Sequence, residues 1–295
     1  MPLVHTLGNY WRLTKPRIWG LLVFTGFVAM LVAYKETPLS SLPLSLVLLV
    51  VVSLTLGSAA ADVLTNYHDR DIDGLMRRTM KRALPTGEIK PAKALAFGLI
   101  MASLSVLIPF LLINAVSAGF MLVGLIDNVI VYSFLLKRKS WLNIILGGVS
   151  GGMPVLVGYS AVQGANPFSP LALYMSALVM VWIPTHIWSL AIFSKADYEA
   201  AKVPMLPVVF GDKVAAICIA LSSALLAFFS IAIFFFTPIN IYYAVTAIAG
   251  GGAVLAYSAR LALNRSRETA WTLFKITSPY LMLIFLVLGI TVWLQ

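Results

Sequence analysis

Leu44-Ser-Leu-Val-Leu-Leu-Val-Val-Val-Ser-Leu-Thr-Leu-Gly-Ser-Ala-Ala-Ala61 carries no charge, and Asp62-Val-Leu-Thr-Asn66-Tyr-His68-Asp69-Arg70-Asp71-Ile-Asp73 follows it without a break. The first half is long enough to cross a bilayer, which takes about 17–25 apolar residues as a helix. Comparable stretches recur on both sides, at Ile18–Tyr34, Ala92–Ile113, Ala115–Leu136, Asn143–Val162, Leu171–Phe193, Ala215–Phe236, Ile239–Leu261 and Ala270–Leu294. Together they predict an all-α membrane protein, a bundle of about nine transmembrane helices forming a single polytopic domain over residues 1–295. Composition agrees: 60% of the 295 residues are hydrophobic and 11% charged, against roughly 25% charged in a soluble domain. A water-soluble fold could not cover that much apolar surface. Disorder and a disulfide scaffold are excluded too, since Cys218 is the only cysteine. No small-residue cleavage site follows the first span, so it is expected to be retained.

The basic residues test this reading. Three lie before the first span, and seven, three, three and four follow the second, fourth, sixth and eighth, making 20 of the 21 Lys and Arg on one side with Lys35 alone on the other. The positive-inside rule then puts the N-terminus and these loops in the cytoplasm and the C-terminus outside. The net charge of +10 is thus a matter of topology and does not call for nucleic acid. Five of the eleven acids lie between Asp62 and Glu88 and three between Asp197 and Asp212, so the chemistry is expected at the cytoplasmic mouth of the bundle.

If the second span continues as helix, Asp62, Asn66, Asp69 and Asp73 fall at i, i+4, i+7 and i+11, one narrow stripe at 3.6 residues per turn, with Asp71 pointing away. Three carboxylates and an amide on one face repel unless a cation neutralises them. Such hard oxygen donors suit Mg²⁺, which typically binds one or two carboxylates together with substrate phosphates. Arg77, Arg78, Lys81 and Arg82 just downstream offer the donors that a diphosphate needs. A solvated, charge-balanced loop is the plainer reading, and the helical register of the acids argues against it.

Asp69-Arg70-Asp71-Ile72-Asp73, with Arg78 through Gly87, resembles the first aspartate-rich motif of the UbiA superfamily of intramembrane prenyltransferases, and within it the branch that farnesylates heme. Leu13-Thr14-Lys15-Pro16-Arg17-Ile18 is similar to that branch's N-terminal signature. Tyr132 through Arg138, with Asn143 and Gly147-Gly148…Gly151-Gly152-Met-Pro154, resembles its central one. Pro184-Thr-His186-Ile-Trp188, leading to Asp197-Tyr198 and Val203 through Val209, resembles its second active-site segment. The four stretches occur in the family's order across nearly the whole chain. The superfamily's first motif opens with Asn four residues before its first Asp; here that position is Thr65, with Asn66 one step later, and both stay open as the amide-position ligand. Relatives that prenylate aromatic rings carry a pair of Asp in the second segment, whereas this chain has Asp197 with His186 eleven residues upstream, on the same face if the helix is unbroken. That departure favours the heme-directed branch.

The resemblance implies a nine-helix fold and an Mg²⁺-dependent transfer of a farnesyl or longer group from its diphosphate to a vinyl group of heme B, with addition of water, giving heme O. Asn66, Asp69 and Asp73 would hold the metal. Arg12, Lys15, Arg78, Lys81, Arg82, Lys137 and His186 would bind substrate, and Asp69, Asp73, Asp197 and Tyr132 would serve the chemistry, Tyr132 beside the allylic cation. A prokaryotic cell membrane and terminal oxidase assembly partners are implied likewise. An aromatic quinone-precursor or lipid acceptor is the alternative within the superfamily. A polytopic transporter is the alternative outside it, and Asp127, mid-span where charge is costly and usually functional, is its best support. His186 is open to a plainer role, bonded to backbone that Pro184 frees, and His68 lies off the stripe. Gly250-Gly251-Gly252 is expected to allow close helix packing.

Overall fold

The computed structural model describes residues 2–37, 39, 41–236 and 240–294; the predicted eighth-span start at Ile239 and the side chain of Arg17 lie outside them. The described residues contain helices and no strands. In chain order they are α1 (Pro2–Leu13), α2 (Pro16–Lys35), α3 (Leu44–His68), the one-turn α4 (Arg70–Asp73), α5 (Pro91–Leu112), α6 (Ala115–Leu125), α7 (Asn143–Leu146), α8 (Val149–Ser160), α9 (Pro170–Phe193), α10 (Lys195–Ala200), α11 (Leu206–Ala232), α12 (Ile241–Asn264) and α13 (Arg267–Trp293). Proline opens α2, α5 and α9, where its missing N–H goes unneeded and its fixed φ suits the first turn.

Among the described residues, eight helices are long and apolar enough to cross a membrane. The expected continuous span Asn143–Val162 is corrected: it is α7 and α8, broken at Gly147-Gly148. The 12 residues of α8 reach about 18 Å at 1.5 Å per residue, short of a hydrocarbon core of roughly 30 Å. Its role is central. Gly151 through Ser160 are all buried, sheathed by α2, α6 and α9. The Asn114 side chain, which caps α6 by accepting from Ser117 N, donates from Nδ2 to Ser160 O at 2.8 Å, so α8 ends level with the α5–α6 turn. Its approach to α2 is backbone to backbone: a Cβ on Gly158 would stand 1.9 Å from Gly26 O.

The fourth span changes pitch halfway. Beyond α6 the chain continues as a π-helix over Ile126–Leu136, a wider coil that is rare and concentrated at functional sites. The widening turns Asp127 toward α8, where its Oδ2 accepts from Ser150 N at 2.7 Å. A helix that starts inside the bilayer leaves its first N–H groups without partners, and this carboxylate supplies one. The residue on which the transporter alternative rested is therefore a helix cap.

The triple glycine behaves as expected at two positions. A Cβ on Gly250 would meet the Tyr280 ring at 2.7 Å and one on Gly251 would meet Ala227 at 3.1 Å, while Gly252 faces open space.

Candidate active site

α3 runs seven residues beyond the apolar stretch because its polar residues find partners there. Asp62 pairs with Lys15 Nζ at 3.0 Å. The amide of Asn66 donates to Leu13 O at 2.9 Å, and its carbonyl accepts from Arg82 Nη1 at 3.0 Å. The same Nη1 reaches Asp73 Oδ2 at 2.7 Å, and Lys137 Nζ bonds Asp69 Oδ2. The helix turns at Asp69 (φ −87°, ψ 2°) and resumes as α4, with Asp73 N still donating to Asp69 O, so the four-residue stripe holds together.

Lys15 reaches this stripe from a strained backbone. Its φ of 52° lies in the left-handed region, uncommon for a residue with a Cβ, and Pro16 behind it starts α2. Such strain persists where surroundings over-determine it, often at functional sites. Burial lowers the pKa of the Lys15 ammonium, and the Asp62 carboxylate opposes that shift. Asp71 points away from the stripe, as its register requires, and Arg138 grips it with two bonds of 2.7 Å. Those bonds hold the Asp71 carboxyl at about 2.

The stripe borders an apolar cavity of about 360 Å³ lined by α2, α3, α6, α8, α9 and α13 and by the π-helix. Asp62, Arg78, Tyr132 and His186 all lie on its wall. Lys137 Nζ stands 5.4 Å over the Tyr132 ring. A Cβ on Gly147 would clash with the Tyr132 side chain at 2.6 Å, so the break between α7 and α8 makes room for that tyrosine.

Three expectations are revised. The acids do not need a metal to relieve their repulsion, because Lys15, Lys137 and Arg82 each neutralise one. The helix carrying His186 is not continuous to Asp197: α9 stops at Phe193 and Ser194 breaks it. Asp197 instead accepts from Arg77 N at 3.3 Å and bolts the Gly74–Arg82 loop to α10, off the cavity wall. Arg12 and Lys81 are exposed and do not line the cavity. Between the two open candidates, Thr65 turns to the π-helix, donating to Asn128 Oδ1 at 3.3 Å, while Asn66 faces Arg82 beside Asp73. His68 packs against Phe134, ring centroids 4.0 Å apart and planes tilted by 34°.

Among the described residues, no group of three or more His, Cys, Asp or Glu is arranged to hold a metal. The donors here are two carboxylates and an amide, the sparse protein set that suits Mg²⁺ with substrate phosphates completing its shell. Asp69 Oδ1 is buried with no hydrogen-bond partner; the Arg138 guanidinium stands 4.0 Å off, beyond bonding distance, so the oxygen keeps an acceptor position that a metal cation would satisfy. The residues fit the ion.

Trp182, Phe274 and Thr277 join the site without having been singled out as candidates. Phe274 and Thr277 come from α13, and a contact such as Trp182 Nε1 to Thr277 O spans 95 residues, so no local pattern announces it.

The model of the UbiA prenyltransferase family matches residues 22–289. The chain belongs to that family. This UbiA prenyltransferase is 44% identical over 283 residues to protoheme IX farnesyltransferase of Thermoplasma volcanium, covering 96% of this chain and 97% of that one. It is 42% identical to the enzyme of the same name from Desulforudis audaxviator, covering 98% and 90%. Its fold is similar to that of a digeranylgeranylglyceryl phosphate synthase, with a TM-score of 0.80 at 18% identity over 99% of this chain and all of the other. It is also similar to a UbiA homolog from Archaeoglobus fulgidus bound to DMAPP and Mg²⁺, with a TM-score of 0.68 at 21% identity over 95% and 98%. Family and apolar helices together make it an integral multi-pass membrane protein.

Proposed function

We propose that this prenyltransferase moves a farnesyl group from farnesyl diphosphate to a vinyl group of heme B, with addition of water, to give heme O. The observation that carries the reading is the juxtaposition of the Asn66–Asp69–Asp73 mouth, with Arg82 and Lys137 upon it, and an apolar cavity walled by Tyr132 and His186. Full-length relatives named for that reaction support it.

Asp69, Asp73 and Asn66 would hold Mg²⁺, which when bound neutralises diphosphate charge and eases its departure. Arg78, on the cavity wall, and Arg82 and Lys137 donate to the phosphate oxygens as negative charge builds on them. The C1–O bond breaks with its electron pair leaving on the diphosphate. The vinyl terminus forms the new C–C bond, water adds its hydroxyl to the adjacent carbon, and one proton is released. The Tyr132 ring shields the allylic cation from water, and the apolar wall takes the isoprenoid tail, each buried CH₂ contributing about 0.8 kcal/mol. Lys15 holds Asp62 and the Leu13–Lys15 turn against the stripe, and Asp197 holds the arginine-bearing loop.

In this reading the whole chain works as one domain of a prokaryotic cell membrane, its site opening to the cytoplasm and its product passing to terminal oxidases. The test is mass spectrometry of purified protein in detergent, given heme B, farnesyl diphosphate and Mg²⁺. A heme product heavier by a farnesyl unit and water, absent when EDTA is added, is the expected result. Diphosphate release with prenylation of an aromatic acid or lipid alcohol supplied in parallel, and no heme product, would overturn the acceptor.

A further inference from the structure

His186 is held more tightly than a cavity-lining residue needs to be. Its ring lies between Trp182 and Phe274, with centroids 4.5 and 4.2 Å away and planes tilted by 20° and 26°. Both faces are covered, and the residue lines the cavity. The clamp is tied in turn: Trp182 Nε1 donates to Thr277 O at 2.9 Å.

The bonding at Nδ1 favours one tautomer. Nδ1 lies 2.8 Å from Thr277 Oγ1. Thr277 Oγ1 also stands 2.9 Å from Phe274 O; with its one proton directed to that carbonyl, Oγ1 accepts and Nδ1 carries the imidazole proton. The partner is a side chain of α13 and not backbone freed by Pro184. Nε2 therefore keeps its lone pair, on the edge of a half-buried ring that lines the cavity. An acceptor left without a donor in apolar surroundings is unfavourable. A histidine whose second nitrogen is anchored by a hydrogen bond, fixing tautomer and ring plane, is the arrangement that presents a nitrogen to a metal.

We propose that Nε2 of His186 is the axial ligand of the heme iron during the reaction, with Thr277 as the residue that positions it; this rests on heme being the acceptor. Ligation would pin the macrocycle by its centre, so that a vinyl group at its rim meets C1 of the donor beside Tyr132.

The experiment titrates the full-length protein in nanodiscs with ferric heme B and, separately, with metal-free protoporphyrin IX, reading the Soret band and electron paramagnetic resonance. Wild type is expected to show histidine-ligated iron. His186→Ala should lose that signature and weaken heme binding by more than the roughly 10–100-fold typical of an outer-shell change, with metal-free porphyrin binding unaltered. Added imidazole should restore the spectrum. Thr277→Val should keep the ligand signature and weaken heme by roughly tenfold. A spectrum and heme affinity unchanged in His186→Ala, in a protein that still makes heme O, would overturn the ligand alone. Equal loss of both porphyrins in His186→Ala would also overturn it, since the side chain would then act by shape. A wild type that binds neither porphyrin would overturn the heme reading itself.

Discussion

Asp69 is 2% exposed and Asp73 is 4% exposed, yet each faces a cation, and that pairing makes their substitution informative. Asp69→Asn keeps the shape and removes the charge that Lys137 balances and a metal requires. Product formation should fall by about 10²–10³-fold, the scale of losing a charge-stabilising group. Stability should fall by about 1–3 kcal/mol, because the ammonium is left with a neutral acceptor. Combining it with Lys137→Met should recover the melting temperature in detergent and not the turnover. Recovered turnover would remove Asp69 from the metal set. The stripe itself was legible in the sequence because a helical period of 3.6 places residues 62, 66, 69 and 73 together whatever the tertiary context. Their partners were not: Lys15 arrives through a left-handed backbone turn, and Thr277 reaches His186 across 91 residues.

At the scale of elements, hydropathy located the helices because lipid accepts only apolar runs whose backbone bonds are satisfied internally. It could not show that one run is broken, since Gly147-Gly148 is as apolar as its neighbours and the break is one of backbone path and crowding. Nor could it show that the fourth helix widens after Leu125. These two departures are joined through Asp127. Asp127→Ala strips the acceptor from Ser150 N and should lower the melting point by an amount equivalent to about 0.5–2 kcal/mol, the usual worth of a cap. Asp127→Asn, which keeps an acceptor oxygen, should lie much closer to wild type. Equal loss in both would mean that the charge itself is needed, and the cap assignment would fall.

By the sequence reading, 20 of the 21 Lys and Arg lie on one side of the membrane, and that asymmetry predicts the molecule's placement. In a Cys218→Ser background, Lys139→Cys should react with a membrane-impermeant maleimide only in inside-out vesicles, and Ser41→Cys only in right-side-out ones. The reverse pattern would invert the assigned orientation. Across the bundle, Gly158→Ala puts a methyl where Gly26 O already stands. Overpacking of that sort destabilises by about 1–3 kcal/mol, and circular dichroism melts of the variant in detergent would read it.

That same contact has a consequence for how the chain can vary. Most packed positions can drift both ways, since a bulky residue can shrink while its neighbour grows. Where α2 crosses α8, the touching atoms belong to the main chain, and glycine is already the smallest residue available. Any change at residue 158 moves in one direction, toward more volume, and the Gly26 backbone it meets cannot shrink in reply. The crossing is a ratchet: random substitution can loosen it, and only reversion can restore it.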